Sequence, residues 1–245
     1  MIIDPWIWVG LCILIAYTIE AVTGFGSLVI ALSLAALVLP LPQVMPVLVP
    51  LSVLMSGFLA WRNRQHIDWR LLLRMILPLM LSGTLVGYLV HTGLDDQLLK
   101  LLFGLLIVWF AGRELWRLAR GVVAQAHPAW LSRALTFAAG ITHGLFASGG
   151  PLLVYAMAGT PLDKSRLRAT MLSVWFTLNA SLSTLFLFQG SLVPALPRTV
   201  TYVPLLVIGV LLGEWLHHRV NETRFRQIVY GLLTVTGALL ILNAW

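Results

Sequence analysis

The sequence predicts an all-α integral membrane protein made of two inverted-topology repeats, each a broken helical hairpin or re-entrant pair followed by three transmembrane helices. Three observations predict it. Hydrophobic residues make up 59% of the 245 residues and charged residues only 10%, with a mean hydropathy of +0.92, a balance that a soluble domain of this length does not have. Apolar runs long enough to cross a bilayer, roughly 20 residues each, recur along the chain. Finally, Pro78, Gly83, Gly87 and His91 recur at one constant offset as Pro204, Gly209, Gly213 and His217, the mark of an internal duplication.

The elements follow in order. The first repeat, 1–120, opens with a segment over 6–39 that exceeds one crossing and is interrupted at Thr23-Gly24-Phe25-Gly26-Ser27. Helices are then expected at about 43–61, 71–92 and 97–119. Residues 121–130 form a cytoplasmic linker, and the basic stretch 113–133 around it suits the surface of anionic lipid. The second repeat, 131–245, opens with the long segment 131–160, interrupted at Ala147-Ser148-Gly149-Gly150-Pro151, followed by helices at about 168–189, 199–218 and 224–244. Gly26 and Gly150 stand nearly one repeat apart. Glycine leaves helical geometry without a Cβ penalty, and Pro151 suits the first turn of the helix that follows. The length of each broken segment permits a full hairpin or a turn at mid-depth.

Charge selects the topology. If every apolar segment crossed once, nine of the sixteen Lys and Arg would lie on one side and seven on the other. If the two broken segments each go in and come back, only Lys100 and Arg198 remain outside, and the positive-inside rule prefers this arrangement. The repeats are then antiparallel and both termini face outward. Asp4, in place of a Lys/Arg-rich start, fits an uncleaved first segment. The net charge of +7 is explained the same way, because no basic stretch is interleaved with exposed aromatics as nucleic-acid binding requires. Cys12 has no partner for a disulfide and reads as a small core hydrophobe. Trp6, Trp8, Trp61, Trp69, Trp116, Trp130 and Trp245 flank the spans as interface anchors.

Irregular backbone survives in hydrocarbon only where it is buried in protein or lines a polar cavity. The helix restarting after each break offers N–H groups and a positive dipole end to an anion. Inverted repeats bring two such ends toward each other near the midplane, where transporters of this design bind substrate. Close helix packing is the plainer use of such glycines. Candidate substrate-binding residues are Thr23, Gly24, Phe25, Gly26, Ser27, Thr142, His143, Ser148, Gly149, Gly150 and Asn179. Glu20, a carboxylate deep in an apolar segment, is either a proton carrier or a cap on neighbouring backbone. His143 is either a titrating or hydrogen-bonding group or a neutral core histidine. Asn179 serves as interhelical glue or as a substrate contact. Ser52, Ser56, Ser173 and Thr177 can satisfy themselves on their own helices. Glu214 and His217, followed by His218, have metal-ligand spacing, but Tyr88 stands at the repeat equivalent of Glu214, so no metal site and no cofactor is expected.

These residues carry a resemblance. The glycine-containing first break, Trp61-Arg62-x-Arg64-x-x-Ile67-Asp68-Trp69-Arg70, the Pro78…Gly83…Gly87 helix and His143-Gly144-x-x-x-Ser148-Gly149-Gly150-Pro151, in this order, resemble the TauE/SafE sulfite exporter family over essentially the whole chain. The resemblance implies a multi-pass permease of the bacterial inner (cytoplasmic) membrane, monomeric or homodimeric, that moves sulfite, an organosulfonate or a related small anion. The family's breaks are usually richer in glycine. Phe25, Ser27, Ala147 and Ser148 depart from that pattern and can shape the pocket for a different or larger anion. The expected function is therefore a proton-coupled secondary transporter acting by alternating access, with a carboxylate carrier as the alternative. A membrane-embedded enzyme using His143 as base is a rival class that no paired nucleophile, metal cluster or phosphate loop supports.

Overall fold

The computed structural model describes residues 4–243 apart from 24, 25, 123–126, 159, 161, 218, 220 and 221. Among the described residues there are helices and turns and no strand. In chain order α1 is Pro5–Thr23, α2 Ser27–Ala35, α3 Leu41–Arg62, α4 Trp69–His91, α5 Asp96–Arg120, α6 Ala129–Phe146, α7 Gly150–Ala156, α8 Lys164–Phe188, α9 Leu192–His217 and α10 Glu222–Leu242. A π-helical turn over Leu72–Ile76 interrupts α4. Among the described residues five stretches are long and apolar enough to cross a membrane: Pro5–Val22, Leu41–Arg62, Trp69–His91, Ser165–Phe188 and Leu192–Leu216. Helix α5 has the length but carries charges in its first and last turns, and in α10 the apolar part shortens to Gln227–Leu242.

All five aspartates of the chain sit at helix starts, where the first N–H groups lack intrahelical partners. Asp4 accepts from Trp6 N–H at 3.0 Å, Asp68 from Leu71 at 2.9 Å, Asp95 from Leu98 at 2.8 Å and Asp163 from Arg166 at 2.8 Å. Asp96 reaches across to the first N–H of α3, that of Leu41, at 2.9 Å. Scarce charge is thus concentrated where apolar helices must begin. Two glutamates are buried inside helices instead: Glu20 in α1, and Glu114, held between Arg113 and Arg117 on its own helix.

The chain forms two compact units, which are not its two sequence halves. One contains residues 1–45, 94–123 and 201–245. There, α5 packs on α10 through Gly104 and Gly237: a Cβ on Gly104 would stand 2.8 Å from the Gly237 carbonyl oxygen. Phe110 meets Tyr230 edge-to-face at 5.8 Å. Helix α1 lies against Gly209 and Gly213 of α9, whose missing Cβ atoms admit Leu14, Tyr17, Thr18 and Ala21, and the Tyr202 hydroxyl donates to the Trp6 carbonyl at 2.6 Å.

The other unit contains residues 46–93 and 124–200. Here α4 and α6 pack backbone to backbone: Gly83 and Gly87 face Gly140 and Gly144, and a Cβ on Gly140 would lie 2.8 Å from the Met80 Cα. The duplicated glycines therefore do one job twice, seating a broken segment against a long helix.

Both broken segments turn back, and both are uneven. The Trp8 indole of α1 donates to the Leu34 carbonyl near the end of α2 at 2.9 Å, and the Ser132 hydroxyl of α6 donates to the Ala156 carbonyl ending α7 at 2.7 Å. The outgoing limbs have 19 and 18 residues and the returning limbs 9 and 7. At 1.5 Å per residue the returning helices measure roughly 14 and 11 Å, half or less of the ~30 Å hydrocarbon core.

Candidate functional site

The first break lies in the unit that holds α1 and α2. Gly26 adopts φ 99°, ψ 4°, a left-handed setting that residues with a Cβ disfavour by roughly 1–2 kcal/mol. Its carbonyl receives the Ile30 N–H at 3.0 Å, starting α2. The Ser27 N–H, the donor expected to face an anion, donates instead to Glu20 Oε2 at 3.1 Å in a buried setting. The Ser27 side chain is hydrogen-bonded with Tyr17, which is fully buried beside Glu20. The carboxylate of Glu20 thus stands where an anion would stand at this helix start. Gly24, Phe25 and the Thr23 side chain, all expected in the site, lie outside the described residues, as do the side chains of His217 and His218.

The second break lies in the unit that holds α6, α7 and α8. Helix α6 ends at Phe146, and Ala147 takes φ 50°, the one non-glycine residue with positive φ among those described. Just before it, the Leu145 carbonyl sits 2.9 Å from His91 Nδ1; a carbonyl only accepts, so Nδ1 carries the proton. Gly149 is locked in place, since a Cβ there would lie 3.0 Å from both the His143 Cβ and the Met80 Cε. Gly150 opens onto the Trp175 ring, 3.7 Å from where its Cβ would stand. Chain restart at Gly150 with Pro151 in the first turn accords with proline's fixed φ.

Several buried polar groups lie at this break or on the helix beside it. His143 is fully buried and stacks on Trp175 with ring centroids 6.2 Å apart at 25°. The Leu178 backbone approaches the imidazole, yet neither ring nitrogen has a partner of hydrogen-bond geometry. Ser148 Oγ and Trp175 Nε1 are likewise buried without partners. Asn179, one turn beyond Trp175 on α8, donates through Nδ2 to Ser52 Oγ at 2.9 Å, while its Oδ1 is buried and unpartnered. An orphaned buried polar group costs on the order of 1–3 kcal/mol, and native interiors rarely leave several together. Thr142 does not join them, because its hydroxyl donates to the Ala139 carbonyl of its own helix at 3.0 Å. Ser56, Ser173 and Thr177 also bond their own helices.

Among the expected site residues, then, the structure brings His143, Ser148, Gly149 and Gly150 together, with Asn179 on the helix face that carries Trp175. It groups Glu20, Gly26 and Ser27 in the other unit. Trp175 went unread in the sequence. Its signal was position: most tryptophans flank the spans, whereas Trp175 stands well inside the stretch 168–189, four residues before the polar Asn179.

Membrane-length apolar helices, two of the helical segments broken, define the class of a polytopic membrane protein. The family profile described as Sulfite exporter TauE/SafE matches residues 9–240, and the chain belongs to that family, a family of transporters. It is 28% identical over 202 residues to the "Probable inner membrane transporter protein TsaS" of Comamonas testosteroni, covering 80% of each chain. It is 29% identical over 240 residues to the "Probable sulfite/organosulfonate exporter TauE" of Cupriavidus necator, covering 92% of this chain and 89% of that one. No solved structure matches it.

Proposed function

We propose that the protein is a secondary transporter of the bacterial inner membrane for a small sulfur-containing anion, sulfite or an organosulfonate, bound at the second helix break. The observation that carries this reading is the set of buried, unpartnered polar groups on His143, Ser148 and Trp175. A serine hydroxyl, an indole N–H and an imidazole N–H are donors, and donors are what an oxyanion lacks once it leaves water. Asn179 completes the set if its amide is turned over: Ser52 Oγ can donate to Oδ1, which frees the amide NH2 to face the site. The Trp175 ring adds a flat apolar wall suited to the carbon part of an organosulfonate. The sulfite and organosulfonate of the Cupriavidus relative's name agree with this donor set.

Transport by alternating access is inferred from the family and from the broken hairpins, a common device of secondary transporters. In this reading Glu20, the buried carboxylate at the first break, carries the coupled proton: protonation removes its charge from the start of α2 and releases its hold on the Ser27 N–H.

The test is thermal unfolding of the purified protein in detergent against sulfite, sulfate, thiosulfate, taurine, aromatic sulfonates and carboxylates. A ligand that binds the folded state raises the midpoint by mass action. The proposal expects a sulfur oxyanion or sulfonate to stabilise the protein and the His143→Ala, Ser148→Ala double variant to lose the response. Stabilisation by carboxylates alone assigns a different substrate class, and a response unchanged in the double variant removes the site.

A further inference from the structure

A basic cavity lies apart from the helix breaks, where α4 begins beside α6. A cavity of about 630 Å³ opens there, with Arg70, Arg74 and Arg133 among its lining residues. All three are exposed, and among the described residues none is ion-paired. Among the described residues the one acid in the lining is already engaged: Asp68 caps α4 and accepts from Arg166 at 3.2 Å. The cavity is therefore left with uncompensated positive charge. The rest of its lining is mostly apolar, with Leu71, Met75, Pro78, Leu79 and Leu162. Further along α4 stand Leu81, Leu85 and Leu89, exposed large hydrophobic residues at the four-residue spacing of one helix face. Arg74 also sits in the π-helical turn of α4, a distortion found often at functional sites.

We propose that this cavity binds the phosphate headgroup of an anionic phospholipid, with an acyl chain running down the exposed stripe of α4. Arginine recognises phosphate through its planar fork of donors, and basic pockets between transmembrane helices take anionic headgroups in this way. The apolar part of the lining and the exposed stripe further along α4 select a lipid over a soluble anion, which has no use for either.

The test uses the full-length protein, delipidated in detergent and supplied with phosphatidylglycerol, phosphatidylcholine, glycerol 3-phosphate or inorganic phosphate. Retained lipid is counted by native mass spectrometry and stability is read as the thermal midpoint. Phosphatidylglycerol is expected to be retained and to raise the midpoint, and phosphatidylcholine and the two soluble phosphates to do neither. The Arg70→Gln, Arg74→Gln, Arg133→Gln variant should bind phosphatidylglycerol at least about tenfold more weakly. A control with Arg120→Gln and Arg219→Gln, outside the cavity, should bind it as the parent does. Should the triple variant fail to fold, Arg74→Gln and Arg133→Gln singly should each weaken retention about threefold or more. Equal retention by parent and cavity variants overturns the proposal. So does an equal loss in the control, which would reduce it to general surface charge. Stabilisation by inorganic phosphate as strong as by the lipid would convert it to a soluble-anion site.

Discussion

Trp175→Phe separates an indole that binds ligand from one that merely fills space. The substitution keeps an aromatic ring to stack on His143, now 6.2 Å away between centroids, and removes a buried N–H that has no partner. In the ligand-free protein two terms oppose each other. Loss of ring volume costs on the order of 1 kcal/mol through the void it leaves, while loss of an orphan donor returns about 1–3 kcal/mol of desolvation penalty. Ligand-free stability should therefore hold or rise slightly. Binding should behave differently, because a hydrogen bond to a charged group contributes about 1.5–3 kcal/mol, which is roughly a 10- to 150-fold weaker Kd at 1.4 kcal/mol per decade. At a sulfite concentration one hundred times the parent's Kd, the parent gains about 2.7 kcal/mol, and a variant weakened a hundredfold gains only about 0.4 kcal/mol. Thermal midpoints across a sulfite titration, read by light scattering so that the lost tryptophan does not distort the signal, measure both quantities at once. A variant with a lowered ligand-free midpoint and an unchanged sulfite dependence would refute the reasoning and make Trp175 a structural residue.

Gly140→Leu should destabilise the protein by about 3 kcal/mol or more, beyond ordinary overpacking, since even a Cβ there would lie 2.8 Å from the Met80 Cα; detergent unfolding midpoints or yield of folded protein check it. Glu20→Gln keeps an oxygen acceptor for the Ser27 N–H, bonded at 3.1 Å, but cannot release a proton. It should fold and bind anion normally while losing the response of proteoliposome transport to an imposed pH gradient, and full retention of that response removes Glu20 from coupling. Thr142→Val should change neither anion affinity nor transport by more than about twofold, because the hydroxyl is bonded within its own helix; a tenfold loss of transport would return Thr142 to the site.

How much of this was legible in the sequence differs from residue to residue. The class of fold was, because 59% hydrophobic residues over this length leave no soluble alternative. The positions of the breaks were also legible: helices end at Thr23 and Phe146, since glycine runs signal departure from helical geometry before any tertiary contact forms. The uneven limbs were not, because 6–39 and 131–160 are largely apolar on both sides of their breaks and hydropathy does not mark where a buried helix stops. Nor was the partnership of Gly83 and Gly87 with Gly140 and Gly144. A repeat offset shows that two glycine pairs are equivalent, whereas the helix each pair presses against depends on how the chain threads. Trp175 was missed for a related reason. Which way a residue points from an almost wholly apolar helix depends on that helix's rotation, and a segment with no clear polar face carries no record of it. Glu20 was legible only as two alternatives, and the bond to Ser27 N–H adds the cap without removing the proton carrier.

Each break holds one described residue at positive φ, and the two residues differ in how tightly that setting is confined. At the first it is Gly26, at φ 99°, and a backbone without a Cβ can cross to negative φ at little cost. At the second it is Ala147, at φ 50°, confined to a narrow basin whose edges are steric walls. An alanine there resists small excursions as firmly as it resists the turn itself. Ala147→Gly would therefore relax the turn that positions Ser148 and Gly149, at the loss of one buried methyl group.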